Sequence, residues 1–154
     1  MTNAHVPLPL FAYGTLRDPD MLRAVLGRPL VPHALHRARA PGFHAVHYPG
    51  RIYPALVRVA GSAAEGLVIT DLTPFERDLL DAFEGAEYLR QPIAVLIEED
   101  LFEADAYLPA IPVPADSTGW SLIRWQTNDK ADVIVADAET ASELRARLIA
   151  VRPH

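Results

Sequence analysis

The 154-residue chain contains no cysteine. That excludes disulfides, thiolate zinc sites and a cysteine nucleophile. It is also short of positive charge: 14 Lys and Arg stand against 20 Asp and Glu, for a formal net charge of −6. The basic residues are scattered, with one short run, "HRAR", at His36 to Arg39. Binding a phosphate backbone needs a clustered basic face, so nucleic acid is disfavoured as the main partner. No apolar run approaches the roughly 20 residues a membrane-spanning helix requires. The opening "MTNAHVPLPL" lacks the basic start and long apolar core of a signal peptide, so the expected compartment is the cytoplasm. Internal repeats, low-complexity segments, a serine nucleophile elbow and a phosphate-loop glycine pattern are all missing.

What is there is an ordinary globular balance, with 50% hydrophobic and 22% charged residues. At this length one domain over residues 1–154 is expected, burying about two-thirds of its unfolded surface. Turn signals separate five or six short strands and three or four helices. "PGFHAVHYPGRIYPALVRV" reads as a meander of short strands, and "GLVIT" (Gly66 to Thr70) as another. "YLRQPIAVLIE" and "FEADAYLP" are expected to pair through an acidic hairpin at Glu99 and Asp100. Alternation of Phe102, Ala104 and Ala106 says that one face of the second strand is buried. "YLPAIPVPADSTGW" is a stiff connector whose Pro109 to Pro114 part either covers a pocket or merely links.

"PLFAYGTLRDPDM", Pro9 to Met21, is a strand, a glycine turn and a helix start. Leu10 to Ala12 end the strand, Gly14 lets the backbone bend, and Asp18–Pro19 cap and open a helix that Gly27 ends. Such a geometry can gather main-chain N–H groups around an anion, or be a plain structural turn. "LTPFERDLLDAFEG" is the clearest helix: Thr73 caps it, Pro74 sits in its first turn and Glu76 completes a capping box. Phe75, Leu79 and Phe83 form its apolar stripe and Gly85 stops it. Beyond Gly119, the spacing of Trp120, Ile123, Thr127, Ala131 and Ile134 predicts helix. A second capping box, Thr140 to Glu143, predicts the start of a terminal helix with Leu144 and Leu148 inward; Val133 to Val135 read as helix or strand.

The end of the clearest helix breaks a rule. Asp81, Glu84 and Glu87 gather where the helix dipole is negative and Lys or Arg is favoured. Glu84, beside Phe83 and before Gly85, can also be desolvated, and both effects raise a carboxylate's pKa toward usefulness as a proton carrier. The alternative is three solvated acids partly compensated by Arg90. His33/His36 and His44/His47 are spaced by three, but the first pair follows Pro32 in a loop and the second falls on a strand, where that spacing gives opposite faces. No metal is therefore expected. Trp120 and Trp125 either stack a ligand or pack the core.

"FAYGTLRDP", followed about 70 residues later by "LLDAFEGAEYLR", resembles the γ-glutamylcyclotransferase-like, or AIG2-like, family. "YPALV" at Tyr53 to Val57 and "GWSLIRW" extend the resemblance over most of the chain. It implies an α/β (α+β type) fold, a small mixed β-barrel flanked by helices with a pocket at one mouth. It further implies that Tyr13, Gly14, Thr15 and Leu16 hold the carboxylate end of a γ-glutamyl group, that Glu84 is the acid/base, and that Tyr88 is a pocket tyrosine. The implied reaction is self-attack by the α-amine on the γ-carbonyl, giving 5-oxoproline and a free amine or amino acid, with no cofactor. A non-catalytic member that binds a small carboxylate or serves as an interaction module is the alternative. A narrower possibility is a pathway-specific enzyme that removes a γ-glutamyl protecting group from a larger amine.

Overall fold

A computed structural model of the chain describes residues 7–151. The N-terminal reading of "MTNAHVPLPL" as lacking a signal peptide falls largely on residues outside this range. Five strands, β1 (Leu10–Ala12), β2 (Leu35–His47), β3 (Pro54–Ile69), β4 (Tyr88–Ile97) and β5 (Asp100–Pro109), close into a barrel in the order β1-β3-β2-β4-β5. All neighbours are antiparallel except β1 and β5, which run parallel where Leu10 meets Asp105 and seal the ring. The mixed barrel expected from the resemblance is what forms.

Five strands fall within the expected five or six, but the chain is divided among them differently from a meander of short pieces. β2 and β3 are single long strands, 13 and 16 residues, and "GLVIT" is the end of β3 rather than a strand of its own. Their ladder shifts register between Pro41 and Phe43. Such an irregularity bends a strand pair, so the turn signals at Pro41–Gly42 and Gly61 mark a bend within one hairpin, whereas those at Tyr48 to Tyr53 do separate β2 from β3. In β5, Ala104 and Ala106 are fully buried as the alternation requires, whereas Phe102 is 48% exposed near the hairpin end.

Period-2 alternation divides the apolar residues between two sides of the barrel wall. Phe11, Phe43, Leu56, Val68, Val95 and Ala106 fill the interior. Leu10, Ala12 and Ile69 face outward and pack against the helices α1 (Pro19–Leu26), α2 (Pro74–Glu84), α3 (Leu122–Asn128) and α4 (Lys130–Val151). In α1, Asp18 accepts from the Met21 N–H at 2.9 Å and the Gly27 N–H closes on Arg23 O at 2.8 Å. In α2, Thr73 and Glu76 exchange both bonds of the capping box, and Gly85, at φ +66°, takes the chain out of the helix in a conformation other residues rarely adopt. Leu79 and Leu80 are its fully buried residues, with Phe75 and Phe83 half-buried at the edges of the stripe.

The C-terminal third departs most from expectation. Val133 to Val135 are helical, and α4 runs unbroken from Lys130 to Val151, so Thr140 lies mid-helix and caps nothing. Ser121 caps α3 instead, accepting from the Arg124 N–H at 3.3 Å. Ile123, Thr127 and Ala131 point outward. The inward residues are Trp125, Val133, Ile134 and Ala141, fixed by packing against α1 and α2. No helix among the described residues is long and apolar enough to cross a membrane.

Candidate active site

Where β1 leaves the barrel and α2 ends, a cavity of about 260 Å³ opens. It lies just below the usual ~300–1,000 Å³ of small-molecule pockets, so it suits a compact ligand. All six residues singled out from the sequence line it: Tyr13, Gly14, Thr15, Leu16, Glu84 and Tyr88.

The loop comes first. A single 3₁₀ turn from Thr15 to Arg17 uses the N–H groups of Arg17 and Asp18, which bond Gly14 O and Thr15 O, each at 3.0 Å. The N–H groups of Gly14, Thr15 and Leu16 precede those bonds and are not consumed by the turn. Gly14 has φ −117°, so it is not in the left-handed region. The expected backbone freedom is corrected to a need for space, because a Cβ there would meet the Pro54 ring. Tyr13 is 5% exposed and its hydroxyl donates to the Tyr107 carbonyl. Burial above all, and the nearby Glu84 charge, hold the Tyr13 phenol well above its ordinary pKa, so it stays a neutral donor.

Tyrosines build much of the wall. Tyr88 donates to Pro54 O at 2.6 Å and Tyr107 to Asp81 Oδ1 at 2.7 Å. Both phenols are raised, chiefly by burial. The ring of Tyr48 lies 5.4 Å from that of Tyr88 and 6.0 Å from that of Tyr53. Tyr53 donates to Glu87, and burial and that bond push its phenol to about 12.

The three acids of the helix end part company. Asp81 is an ion-pair and hydrogen-bond anchor, 3.3 Å from Arg90 Nη2 and bonded by Tyr107. Compensation by Arg90 therefore applies to Asp81. Glu87 is held by Tyr53 and by Arg51 Nε at 3.0 Å. Glu84 has no such partner among the described residues and faces the cavity. Its carboxyl is pushed up to about 8, first by burial, then by Asp137 and Glu87. Desolvation was legible beside Phe83. Asp137 was not, because it arrives from α4.

Asp137, Val133 and Thr140 of α4, Trp125 of α3 and Tyr53 also line the cavity. Their signal in the sequence was the step from Val133 to Asp137 to Thr140 and Ala141, one face of a continuous helix; a helix start placed at Thr140 hid it. Trp120 stays outside the cavity: its indole N–H donates to Ile52 O at 2.8 Å and fastens the β2–β3 connection. The proline-rich connector and the four histidines of the spaced pairs do not line the cavity. Among the described residues no group of three or more His, Asp or Glu is placed to hold a metal ion.

Comparison with known proteins shows the family and the fold. The family model described as "Gamma-glutamyl cyclotransferase, AIG2-like" matches residues 10–126. AIG2-like protein C of Arabidopsis thaliana is 30% identical over 130 residues, covering 82% of this chain and 74% of that protein. A solution structure of another Arabidopsis thaliana protein superimposes with a TM-score of 0.64 at 25% identity, covering 100% of both chains. A structure described as a gamma-glutamyl cyclotransferase shares the fold with a TM-score of 0.56 at 17% identity, covering 96% of this chain and 89% of that one. The chain belongs to the gamma-glutamyl cyclotransferase, AIG2-like family.

Proposed function

We propose that the protein is a γ-glutamyl cyclotransferase-type enzyme that converts a γ-glutamyl compound to 5-oxoproline and releases an amine or amino acid, without a cofactor. The observation that carries this reading is Glu84: a carboxyl pushed up to about 8, with no partner of its own, in the same cavity as the Tyr13–Leu16 loop. The substrate carboxylate is met by the loop's main-chain N–H groups, a neutral way to hold an anion in a cavity that already contains acids. Tyr13 and Tyr88 shape the wall beside it.

The chemistry joins two ends of one molecule. The α-amine nitrogen attacks the γ-carbonyl carbon, the new C–N bond closes the five-membered lactam, and the bond to the departing nitrogen breaks. The attacking nitrogen gives up two protons between ammonium and lactam N–H: one goes to solvent as the free amine forms, and the other passes to the departing nitrogen as its bond breaks. A free α-amine titrates near 8, so a carboxylate raised to about the same range can take one proton and return it. Confinement in a curled shape removes rotational freedom before the reaction and lowers the barrier by several kcal/mol.

The test is a panel of γ-glutamyl compounds scanned for 5-oxoproline release, with Glu84→Gln on the best one. Turnover should fall by roughly 10²–10⁴ with much less change in affinity. Release by no compound favours the binding-module alternative, and wild-type turnover in Glu84→Gln removes Glu84 from the reaction.

A further inference from the structure

One wall of the cavity comes from α4, which lies wholly outside the stretch matched by the family model. Val133, Asp137 and Thr140 present one face of that helix to the cavity, and Ala141 on the same side is fully buried among the other helices. Asp137 is the charged residue α4 contributes.

The cavity's charges are one-sided. Its described lining contains Glu84, Glu87 and Asp137, and no Lys, Arg or His. Glu87 is taken by Tyr53 and Arg51. Glu84 and Asp137 remain, each without a hydrogen-bond or ion-pair partner among the described residues, in one half-enclosed space. Two carboxylates that share one cavity with no cation in its described lining cannot both keep their charge cheaply unless a ligand brings one. The loop at Tyr13–Leu16 offers the opposite: main-chain N–H groups without a carboxylate among its residues. A ligand that carries a carboxylate and an ammonium on the same carbon satisfies both sides at once.

We propose that Asp137 is a substrate-binding residue that holds the α-ammonium of the glutamyl group and sets it beside Glu84. This rests on the reading of the cavity as a γ-glutamyl site. The arrangement divides two tasks: Asp137 orients the nitrogen, and Glu84 takes the proton from it. A single carboxylate would have to release its hold on the nitrogen in order to move the proton.

L-Glutamate and glutarate differ only by the α-ammonium, so their affinities isolate it. Calorimetric titration at neutral pH should show the wild-type protein binding glutamate about tenfold or more tightly than glutarate, the expected worth of a partly buried charge-assisted contact. In Asp137→Asn the preference should shrink to about twofold through loss of glutamate affinity alone, and Asp137→Glu should restore part of it. A second readout is the pH profile of 5-oxoproline release. Glu84 is faced by Tyr13 just after β1, Glu87 in the turn after α2, Tyr88 of β4, Tyr107 of β5 and Asp137 of α4. Removing the Asp137 charge alone should move the Glu84-linked limb to lower pH and raise KM more than it lowers kcat. Glutamate bound with its preference unchanged in Asp137→Asn overturns the role of Asp137 and leaves the γ-glutamyl reading standing. A wild-type protein that binds neither compound overturns the role of Asp137, and one that also releases 5-oxoproline from no γ-glutamyl compound overturns the γ-glutamyl reading as well.

Discussion

Pro54 stands against Gly14 so closely that a Cβ on Gly14 would lie 2.9 Å from Pro54 Cγ and 3.1 Å from its Cδ. The pyrrolidine ring cannot swing aside as a flexible side chain would. Pro54 opens β3, and its carbonyl accepts the Tyr88 hydroxyl, so the loop, the barrel and the cavity wall meet at this contact.

Gly14→Ala should therefore displace Pro54 and, with it, Tyr88. The expected result is a loss of glutamate affinity of about tenfold, with stability down by about 1–3 kcal/mol, as for other overpacked sites. Thr15→Ala leaves the main-chain donors in place and should cost affinity no more than about threefold. Calorimetry and thermal melts on the two variants check both, and equal small losses in affinity would count against main-chain recognition of the carboxylate.

Glu84 also makes a pH signature in stability. Its carboxyl is pushed up to about 8 in the folded chain from an ordinary 4.5, so between those limits the folded state binds more protons than the unfolded one. Stability from this group is then fully present below about pH 4.5 and is lost as pH rises through about 8. Glu84→Gln has no such loss. The melting temperature of Glu84→Gln minus that of wild type should grow from pH 5 to pH 8 and level off above, by several degrees, since about 1 kcal/mol moves a domain of this size by roughly 2–4 °C. A flat difference would mean that Glu84 is an ordinary exposed acid.

Asp18 behaves in the opposite sense. It is 1% exposed, caps α1 through the Met21 N–H, and accepts from Gln126 Nε2 at 2.8 Å and Lys130 Nζ at 2.9 Å. Burial pushes its carboxyl up, but the bonds from Gln126, Lys130 and Met21 outweigh it and hold the net value below the usual carboxylate range. Its contribution is present above the unfolded value and is lost as pH falls through the folded one. Asp18→Ala should destabilise by about 2–4 kcal/mol, combining a lost cap with a broken buried ion pair, and urea unfolding measures it. Asp18→Asn should recover the capping part alone.

Much of the site could be read along the chain because its signals are local. The capping box at Thr73 and Glu76, the stop at Gly85 and the turn at Gly14 each depend on a few consecutive residues, and they place Glu84 at a helix end and Tyr13–Leu16 in a loop without reference to the rest of the fold. Asp81, Glu84 and Glu87 looked alike for the same reason. Only Tyr107, Arg90, Tyr53 and Arg51, brought from other strands and loops, tell them apart.

What the sequence by itself determined is the set of elements whose caps, breakers and period are written in neighbouring residues: α1, α2, the β4–β5 hairpin, and the apolar faces they must bury. Tertiary structure alone decided that β1 closes the barrel on β5, that β2 and β3 run long through a bend, that α4 passes Thr140 without a break, and that Asp137 comes to stand near Glu84. The physical reason is range. A cap or a turn is satisfied within three or four residues, whereas barrel closure and the partner of a desolvated acid are settled by packing between segments far apart in the chain, where many arrangements satisfy the same local pattern and only the burial of the whole core selects one.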